Sequence, residues 1–148
     1  MTRPVAMFSC GLWLVGAVGG CGGVSSTVPP PPPPGTGPYA GTYATHVTLV
    51  QNGCGAVTVQ DNPTVVTHDL ASGVVTLTHA GQVYPGRVQA DRTFTTTPAD
   101  VNVNDGFHYL IALAGRFGTG SLEADATVDR SGGNVAGCRF VVHWAGTR

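Results

Sequence analysis

The sequence predicts an all-β protein, a small antiparallel up-and-down β-barrel of about eight strands, and three observations lead to that prediction. Val and Thr dominate the chain from Tyr39 onward, Ile occurs once, and strong helix formers are sparse. Turn signals rich in Gly, Asn, Asp and Ser separate short apolar segments at close spacing. No long window carries a helical period. A β-sandwich is the alternative architecture that the same pattern allows.

Several segments are candidate strands because β-branched and aromatic residues concentrate between turn signals. In chain order they are Ala40–Val50, Ala56–Gln60, Thr64–Asp69, Val74–His79, Val83–Gln89, Thr93–Thr97, Phe107–Phe117, Leu122–Asp129 and Ala136–Ala145. This is one segment more than an eight-stranded barrel needs, so one of them is expected to be irregular. Thr93–Thr97, which precedes a proline, is the candidate for the irregular segment.

The last three strands can be placed in register, because apolar and polar side chains alternate strictly after Ser121. The expected pairs with the preceding strand are Phe117–Leu122, Leu113–Ala126, Ile111–Val128 and, outside the barrel, Arg116–Glu123. The expected pairs with the final strand are Val128–Cys138, Ala126–Phe140, Ala124–Val142 and Leu122–Trp144. Large residues then face small ones inside. A slip of one residue would bury Glu123 and Asp125, so the face of each side chain is well specified.

A targeting signal precedes this domain and is not part of its fold. Arg3 is the single charged residue near the start, and residues 5–18 form an apolar, uncharged run. A membrane-spanning helix needs about 20 such residues, so the run suits a secretory signal peptide better. The alternative is an ordinary secreted protein or an N-terminal membrane anchor. In either case Cys21, which follows the apolar run, would have no special role.

The apolar run ends at Val18-Gly19-Gly20-Cys21, which resembles the lipobox of bacterial lipoproteins. The resemblance implies that residues 1–20 are removed as a signal peptide. It also implies that Cys21 carries acyl chains such as palmitate, which together anchor the chain in a membrane. Leu is more usual where Val18 stands, and Ala or Ser is more usual than Gly19. Gly22, in place of Asp, resembles the signal that sorts lipoproteins to the outer membrane, with the domain on its periplasmic or surface side.

Residues 21–38 are predicted to be the lipidated cysteine and a linker, and residues 39–148 the β-domain. Pro29–Pro34 have fixed φ and no amide donors, so they favour a polyproline II rod of roughly 19 Å. Such a rod would hold the domain away from the membrane. A ligand for an SH3-like module is the alternative, and it is disfavoured in an exported chain.

Two cysteines remain in the domain once Cys10 leaves with the signal peptide and Cys21 is lipidated. In an oxidising compartment a Cys54–Cys138 disulfide is favoured. It would close a loop of about 85 residues, worth at most about 4–5 kcal/mol in the chain-entropy model. The first and last strands of an even-stranded barrel pair antiparallel, so this disulfide also fits barrel closure. Neither cysteine has a second ligand at C-x-x-C spacing, and no metal site is predicted.

The two ends of the domain resemble those of lipocalins. Gly41-Thr42-Tyr43 opens the first strand, and Trp144 and Arg148 close the last. In lipocalins a G-x-W motif meets an arginine from the final segment, with cation–π stacking between them. The resemblance implies that Tyr43, Trp144 and Arg148 pack together at one end of a lipocalin-like barrel. Tyr43 stands where the family has Trp, and only the two ends of the domain match.

The remaining histidines and carboxylates show no catalytic pattern. His68 and His79 share strand faces with apolar residues and are expected to be satisfied interior histidines. Arg116, Glu123 and His143 fall in one outer row, which is expected to be solvated, with a pH-sensitive contact surface as the alternative.

An acidic stripe, formed by Glu123, Asp125 and Asp129, lies along a single strand. One strand cannot supply the cage of about six to eight oxygens that Ca²⁺ requires. No metal or cofactor is predicted, and an enzyme is not expected.

These observations predict a membrane-anchored envelope lipoprotein whose non-catalytic β-domain is a binding or structural module. The net charge of −1 and the absence of Lys exclude a basic nucleic-acid binder. Six large side chains are expected to fill the interior, Tyr43, Phe107, Tyr109, Phe117, Phe140 and Trp144. Binding of an unknown protein, glycan or small apolar ligand would then use loops, above all Thr97–Gly106. A carrier of a small apolar ligand and an inhibitor of an envelope hydrolase are the alternatives.

Overall fold

The computed structural model describes residues 37–103, 105–133 and 136–148. Within these residues the chain forms strands and no helix, and so no helix there could cross a membrane. The strands are β1 Gly41–Asn52, β2 Thr64–Asp69, β3 Val74–His79, β4 Gln82–Val88, β5 Thr93–Thr96, β6 Ala99–Asn102, β7 Phe107–Phe117, β8 Ser121–Gly132 and β9 Cys138–Thr147. The predicted signal peptide, Cys21 and Pro29–Pro34 lie outside the described residues.

The strands form a closed antiparallel barrel. Their order in the sheet is β5-β4-β3-β2-β1-β9-β8-β7, and β5 also pairs with β7, which closes a ring of eight. The ninth strand, β6, pairs with the first half of β7, beyond the part that β5 covers. The prediction of an all-β, lipocalin-like barrel is therefore confirmed, and the sandwich alternative is wrong.

Three predictions about individual segments are wrong. Thr93–Thr97, predicted to be the irregular segment, contains β5 (Thr93–Thr96), which closes the barrel. Ala99–Asn102, placed in a loop, is β6 because β7 is too long for the four residues of β5 to cover. Ala56–Gln60 forms no strand, and residues 53–63 connect β1 to β2 without regular structure. Local propensity could not reveal these outcomes, since tertiary pairing decides them.

The predicted register between β7 and β8 is confirmed at every expected pair, from Ile111–Val128 to Phe117–Leu122. The register between β8 and β9 was wrong by two residues. The observed pairs are Val128–Phe140, Ala126–Val142, Ala124–Trp144 and Leu122–Gly146. A shift of two leaves every side chain on its predicted face, so small residues still meet large ones.

Side chains fill the barrel interior. The largest fully buried ones are Tyr43, Phe94, Phe117, Leu77, Leu113 and Leu122. The Phe117 ring stacks on the Tyr39 ring at 4.7 Å and on the Phe94 ring at 4.8 Å. Tyr43, Phe117 and Trp144 are buried as expected, whereas the other three expected interior aromatics are only half-buried, namely Phe107, Tyr109 and Phe140.

The two open edges of the barrel are referred to below as its ends. At the linker end the chain enters at Gly37, the β2–β3, β4–β5 and β7–β8 turns lie together, and Arg148 follows β9. At the disulfide end lie residues 53–63, the β3–β4 and β8–β9 turns, and the predicted Cys54–Cys138 disulfide, which is confirmed. That bond joins Cys54, two residues after the end of β1, to Cys138, the first residue of β9, with their Cα atoms 5.2 Å apart.

Candidate functional site

At the linker end, the segment just before β1 lies across the barrel opening. The Gly37 amide donates to the His68 carbonyl at 2.8 Å. The Tyr39 ring lies between Phe117 and the His68 ring, whose centroid is 4.9 Å away. The Tyr43 hydroxyl donates to the Tyr39 carbonyl at 3.0 Å. These contacts close this end of the barrel with Gly37, from the end of the predicted linker, and with Tyr39, the first residue of the predicted domain.

Arg148 holds the same segment from the other side. Its guanidinium lies 5.2 Å from the centroid of the Tyr43 ring and donates to the carbonyls of Pro38 and Ala40. The structure thus brings Arg148 and Tyr43 together. Trp144 lies deeper in the interior, where its ring stacks on His79 at 4.2 Å and meets Tyr84 edge-on.

His68 is buried directly beneath this segment. Its residue is 3% exposed, and its Nδ1 has no hydrogen-bond partner within the part of the chain that the structure describes. A Cβ at position 37 would lie 2.1 Å from this Nδ1, so only Gly37 fits there. Burial lowers the pKa of His68, which favours the neutral ring. His68 was predicted to be an interior histidine with its hydrogen bonds made. It is interior, but its Nδ1 makes no hydrogen bond with the described residues.

His79 is the second interior histidine, and its Nδ1 is satisfied. Thr45 donates to Thr64 at 2.8 Å, and the Thr64 hydroxyl lies 2.9 Å from the His79 Nδ1. Burial lowers the pKa of His79 as well. This chain of polar groups runs from the interior toward the place where β1 and β2 separate.

An exposed cleft marks that separation, and no pattern in the sequence predicted it. Pairing of β1 with β2 stops at Tyr43 and Thr64. Beyond it, Asp61 replaces the missing strand partner, because its Oδ1 accepts the Val47 amide at 2.8 Å. Its Oδ2 lies 2.8 Å from the His46 Nδ1, and this hydrogen bond lowers the pKa of Asp61. The cleft has a volume of about 390 Å³ and is lined by Ala44, Thr45, His46, Asp61, Asn62 and Pro63.

His143 joins two carboxylates on the outer face of the barrel. Its Nδ1 lies 2.8 Å from the Asp125 Oδ1, and its Nε2 lies 2.8 Å from the Glu123 Oε2. The hydrogen bond with Asp125 is the main reason why the pKa of His143 is raised. The predicted outer row is therefore observed for Glu123 and His143. Arg116 lies opposite Glu123 in register but forms no ion pair with it.

Polar contacts also surround the disulfide. The Arg130 guanidinium lies 4.8 Å from the centroid of the Phe107 ring and donates to the Cys54 carbonyl at 3.3 Å. Asp129, from the predicted acidic stripe, forms a two-pronged ion pair with Arg139 at 2.7 and 2.9 Å. Within residues 37–103, 105–133 and 136–148, no three His, Cys, Asp or Glu side chains are arranged to hold a metal ion.

Comparisons with protein-family models, curated proteins and solved structures give no match to this chain. The sequence signals and the geometry described above are therefore the basis for the function.

Proposed function

We propose that the chain is a membrane-anchored envelope lipoprotein whose β-barrel is a non-catalytic binding module. The observation that carries the proposal is the apolar run ending in Val18-Gly19-Gly20-Cys21. The Cys54–Cys138 disulfide supports it, because structural disulfides form and persist in oxidising compartments. A lipid anchor at Cys21 would place the barrel in such a compartment.

Metabolic labelling with a fatty-acid analogue tests the anchor. The wild-type chain is expected to incorporate the label and to fractionate with membranes. Cys21→Ser should abolish incorporation, whereas Cys10→Ser, the matched control within the signal peptide, should leave it unchanged. Equal labelling of the Cys21→Ser variant would overturn the proposed anchor.

The filled interior supports binding at the outer surface. Side chains from several strands meet at the centre, where Leu113, Phe117 and Leu122 are almost completely buried. A carrier of an apolar ligand would need a comparable volume of open space inside the barrel. Native mass spectrometry of the membrane-extracted protein is expected to show the lipidated chain without a further bound molecule. A stoichiometric co-purified ligand would favour the carrier instead.

The cleft beside His46 is the surface that we assign to this binding role. Asp61 is fixed by two hydrogen bonds, and the exposed imidazole of His46 is fixed by one of them. A protein or glycan of the envelope would meet a preorganised donor–acceptor pair there, at low cost in side-chain entropy. An inhibitor of an envelope hydrolase would act through such a surface.

Capture from envelope extract tests this assignment. The membrane-extracted chain should retain a specific partner that the His46→Ala variant loses. His143→Ala is the control, since it removes a partly exposed, carboxylate-bound imidazole elsewhere on the barrel. Equal capture by wild type and His46→Ala would remove the cleft from the proposal.

A further inference from the structure

His68 is a buried titratable group for which the proposed function has no use. It lies near the end of β2, beneath residues 37–40, the segment that crosses the linker end of the barrel. Its backbone carbonyl accepts the Gly37 amide at 2.8 Å, so that amide does not serve the ring. Its Nδ1 has no hydrogen-bond partner among the residues that the structure describes. A buried nitrogen without a partner needs a physical explanation.

The segment leaves no room for a partner at this nitrogen. A Cβ built on Gly37 would lie 2.6 Å from the His68 Cγ and closer still to the Nδ1, so the Gly37 backbone rests against the ring itself. A water molecule or a carbonyl oxygen that accepts from a ring nitrogen lies about 3 Å away from it. Such an acceptor can reach the Nδ1 only when Gly37 moves aside.

The closed segment therefore tolerates the neutral His68 ring and not the charged one. A neutral imidazole can leave its Nδ1 as an unused acceptor, whereas the imidazolium carries a proton on both ring nitrogens. A buried charge whose proton has no acceptor costs far more free energy than an unused lone pair. The pKa of His68 is accordingly lowered, with burial as the main cause.

The charged groups nearest to His68 do not compensate an imidazolium. Asp69 follows it in β2, and strand alternation places the Asp69 carboxylate on the outer face, where it accepts from the Ala71 amide and the Ser72 hydroxyl. Its charge raises the pKa of His68 by less than burial lowers it. Arg148, which binds the segment, is itself a cation.

The other elements around His68 present uncharged groups to it. The Tyr39 ring lies 4.9 Å away between centroids, and Val75 is the partner of His68 in β3. The cleft of about 260 Å³ beside His68 is also lined by Leu70, Gly73, Val88, Gln89 and Ala90. The charged side chains around the β4–β5 turn are engaged elsewhere, since Arg87 donates to the Ser72 carbonyl and Asp91 accepts from Thr93.

We propose that His68 is an acid-sensitive latch, in which protonation of its Nδ1 releases residues 37–40 from the linker end of the barrel. The released residues extend the predicted linker and uncover the face of the Phe117 ring on which Tyr39 stacks. The barrel itself stays closed, because the contacts that open are not part of the pairing between strands. The latch requires neither the lipid anchor nor the cleft beside His46.

The size of the effect follows from the pKa of His68 in the two states. With the segment open the ring is hydrated and titrates near the ordinary pKa of about 6.5. The closed state binds the proton less tightly, so a fall in pH favours the open state. Between pH 7 and pH 5 the equilibrium constant for opening rises by at most about 25-fold, the limit for a closed state that binds no proton.

Hydrogen–deuterium exchange of the full chain at pH 7 and pH 5, detected by NMR and divided by the intrinsic rate at each pH, tests the latch. The Gly37 and Ala40 amides are hydrogen-bonded in the closed segment, and they are expected to exchange several-fold faster at pH 5. Amides in the centres of β7 and β8 should keep their protection. His68→Gln should remove the pH dependence, whereas His143→Gln, the control on the outer face, should retain it.

Gly37→Ala provides a second measurement that does not depend on the folding of the His68→Gln variant. The added methyl group overlaps the His68 ring, so the Ala40 amide should exchange rapidly at both pH values. Protection of that amide at the wild-type level would overturn the latch. Equal exchange of the wild-type segment at both pH values, or a pH dependence that survives His68→Gln, would do the same. Acceleration of all amides together would show that acid unfolds the whole barrel, which also contradicts a local release.

Discussion

The two ends of the barrel are closed by different chemistry. At the disulfide end a covalent bond joins the segment just after β1 to the first residue of β9, and the aromatics Phe107 and Phe140 remain half-buried. At the linker end a non-covalent plug, formed by Tyr39 and held by Arg148, seals a fully buried aromatic cluster. One end should therefore respond to reduction, and the other to substitution and to pH.

Loss of the disulfide should have the largest effect. The crosslink spans 84 residues of chain, so its removal is expected to cost up to about 4–5 kcal/mol through the added entropy of the unfolded state. Guanidinium unfolding of oxidised and reduced protein, and of Cys54→Ser/Cys138→Ser, measures this cost. A cost well below 1 kcal/mol would show that pairing of β1 with β9 closes this end without the covalent bond.

Removal of the Arg148 side chain should have the next largest effect. Arg148→Ala loses two charge-assisted hydrogen bonds and the stacking on Tyr43, with an expected cost of about 2–3 kcal/mol. Arg148→Lys keeps the charge but not the planar fork, so it should recover only part of the loss. Full recovery by Lys would show that charge alone holds the plug.

The plug was anticipated only in part by the sequence. The contact between Tyr43 and Arg148 was implied by the resemblance of the two ends of the domain to those of lipocalins. Nothing in local sequence indicated that Tyr39 would stack on Phe117 or that Gly37 would cover His68. Those contacts depend on how the chain crosses the barrel opening, which has no periodic signal.

The fold could likewise be predicted where the sequence has a periodic pattern, and the binding cleft, which has none, could not. Strict alternation in β8 fixed its faces and its register with β7. Short β5 and β6 were misassigned, since pairing with β7 decides their structure. Asp61 and His46 are fifteen residues apart with no shared motif, and a side chain that replaces a strand partner cannot be recognised before the strands are placed.

The buried histidine at the linker end should make stability depend on pH. An unfolded histidine titrates near a pKa of about 6.5, and burial lowers the pKa of His68 in the folded state. The unfolded chain then binds more protons below that pH, so stability falls as pH decreases from about 6.5 toward the folded pKa. His79 acts in the same direction, whereas the raised pKa of His143 affects stability only above this window.

Unfolding midpoints between pH 6.5 and 5 measure this dependence. His68→Gln should reduce the decline of the unfolding midpoint with falling pH. The pH dependence that remains should come mainly from His79. Asp129→Asn, at the disulfide end, serves as the control, because Asp129 titrates at far lower pH. A wild-type stability that is constant across the window would mean that the plug opens to hydrate His68 at little cost.

The smallest effect is expected for the ion pair beside the disulfide. Arg139 and Asp129 have side chains that are 65% and 43% exposed, and exposed ion pairs contribute little because water and salt screen them. Arg139→Ala should therefore shift Tm by about 3 °C or less. A similar small shift is expected in reduced protein, since closure at this end depends on the covalent bond and on pairing of β1 with β9. A much larger shift in reduced protein would mean that the ion pair holds this end together once the disulfide is broken. The contrast between a covalent end and a non-covalent end would then hold only under oxidising conditions.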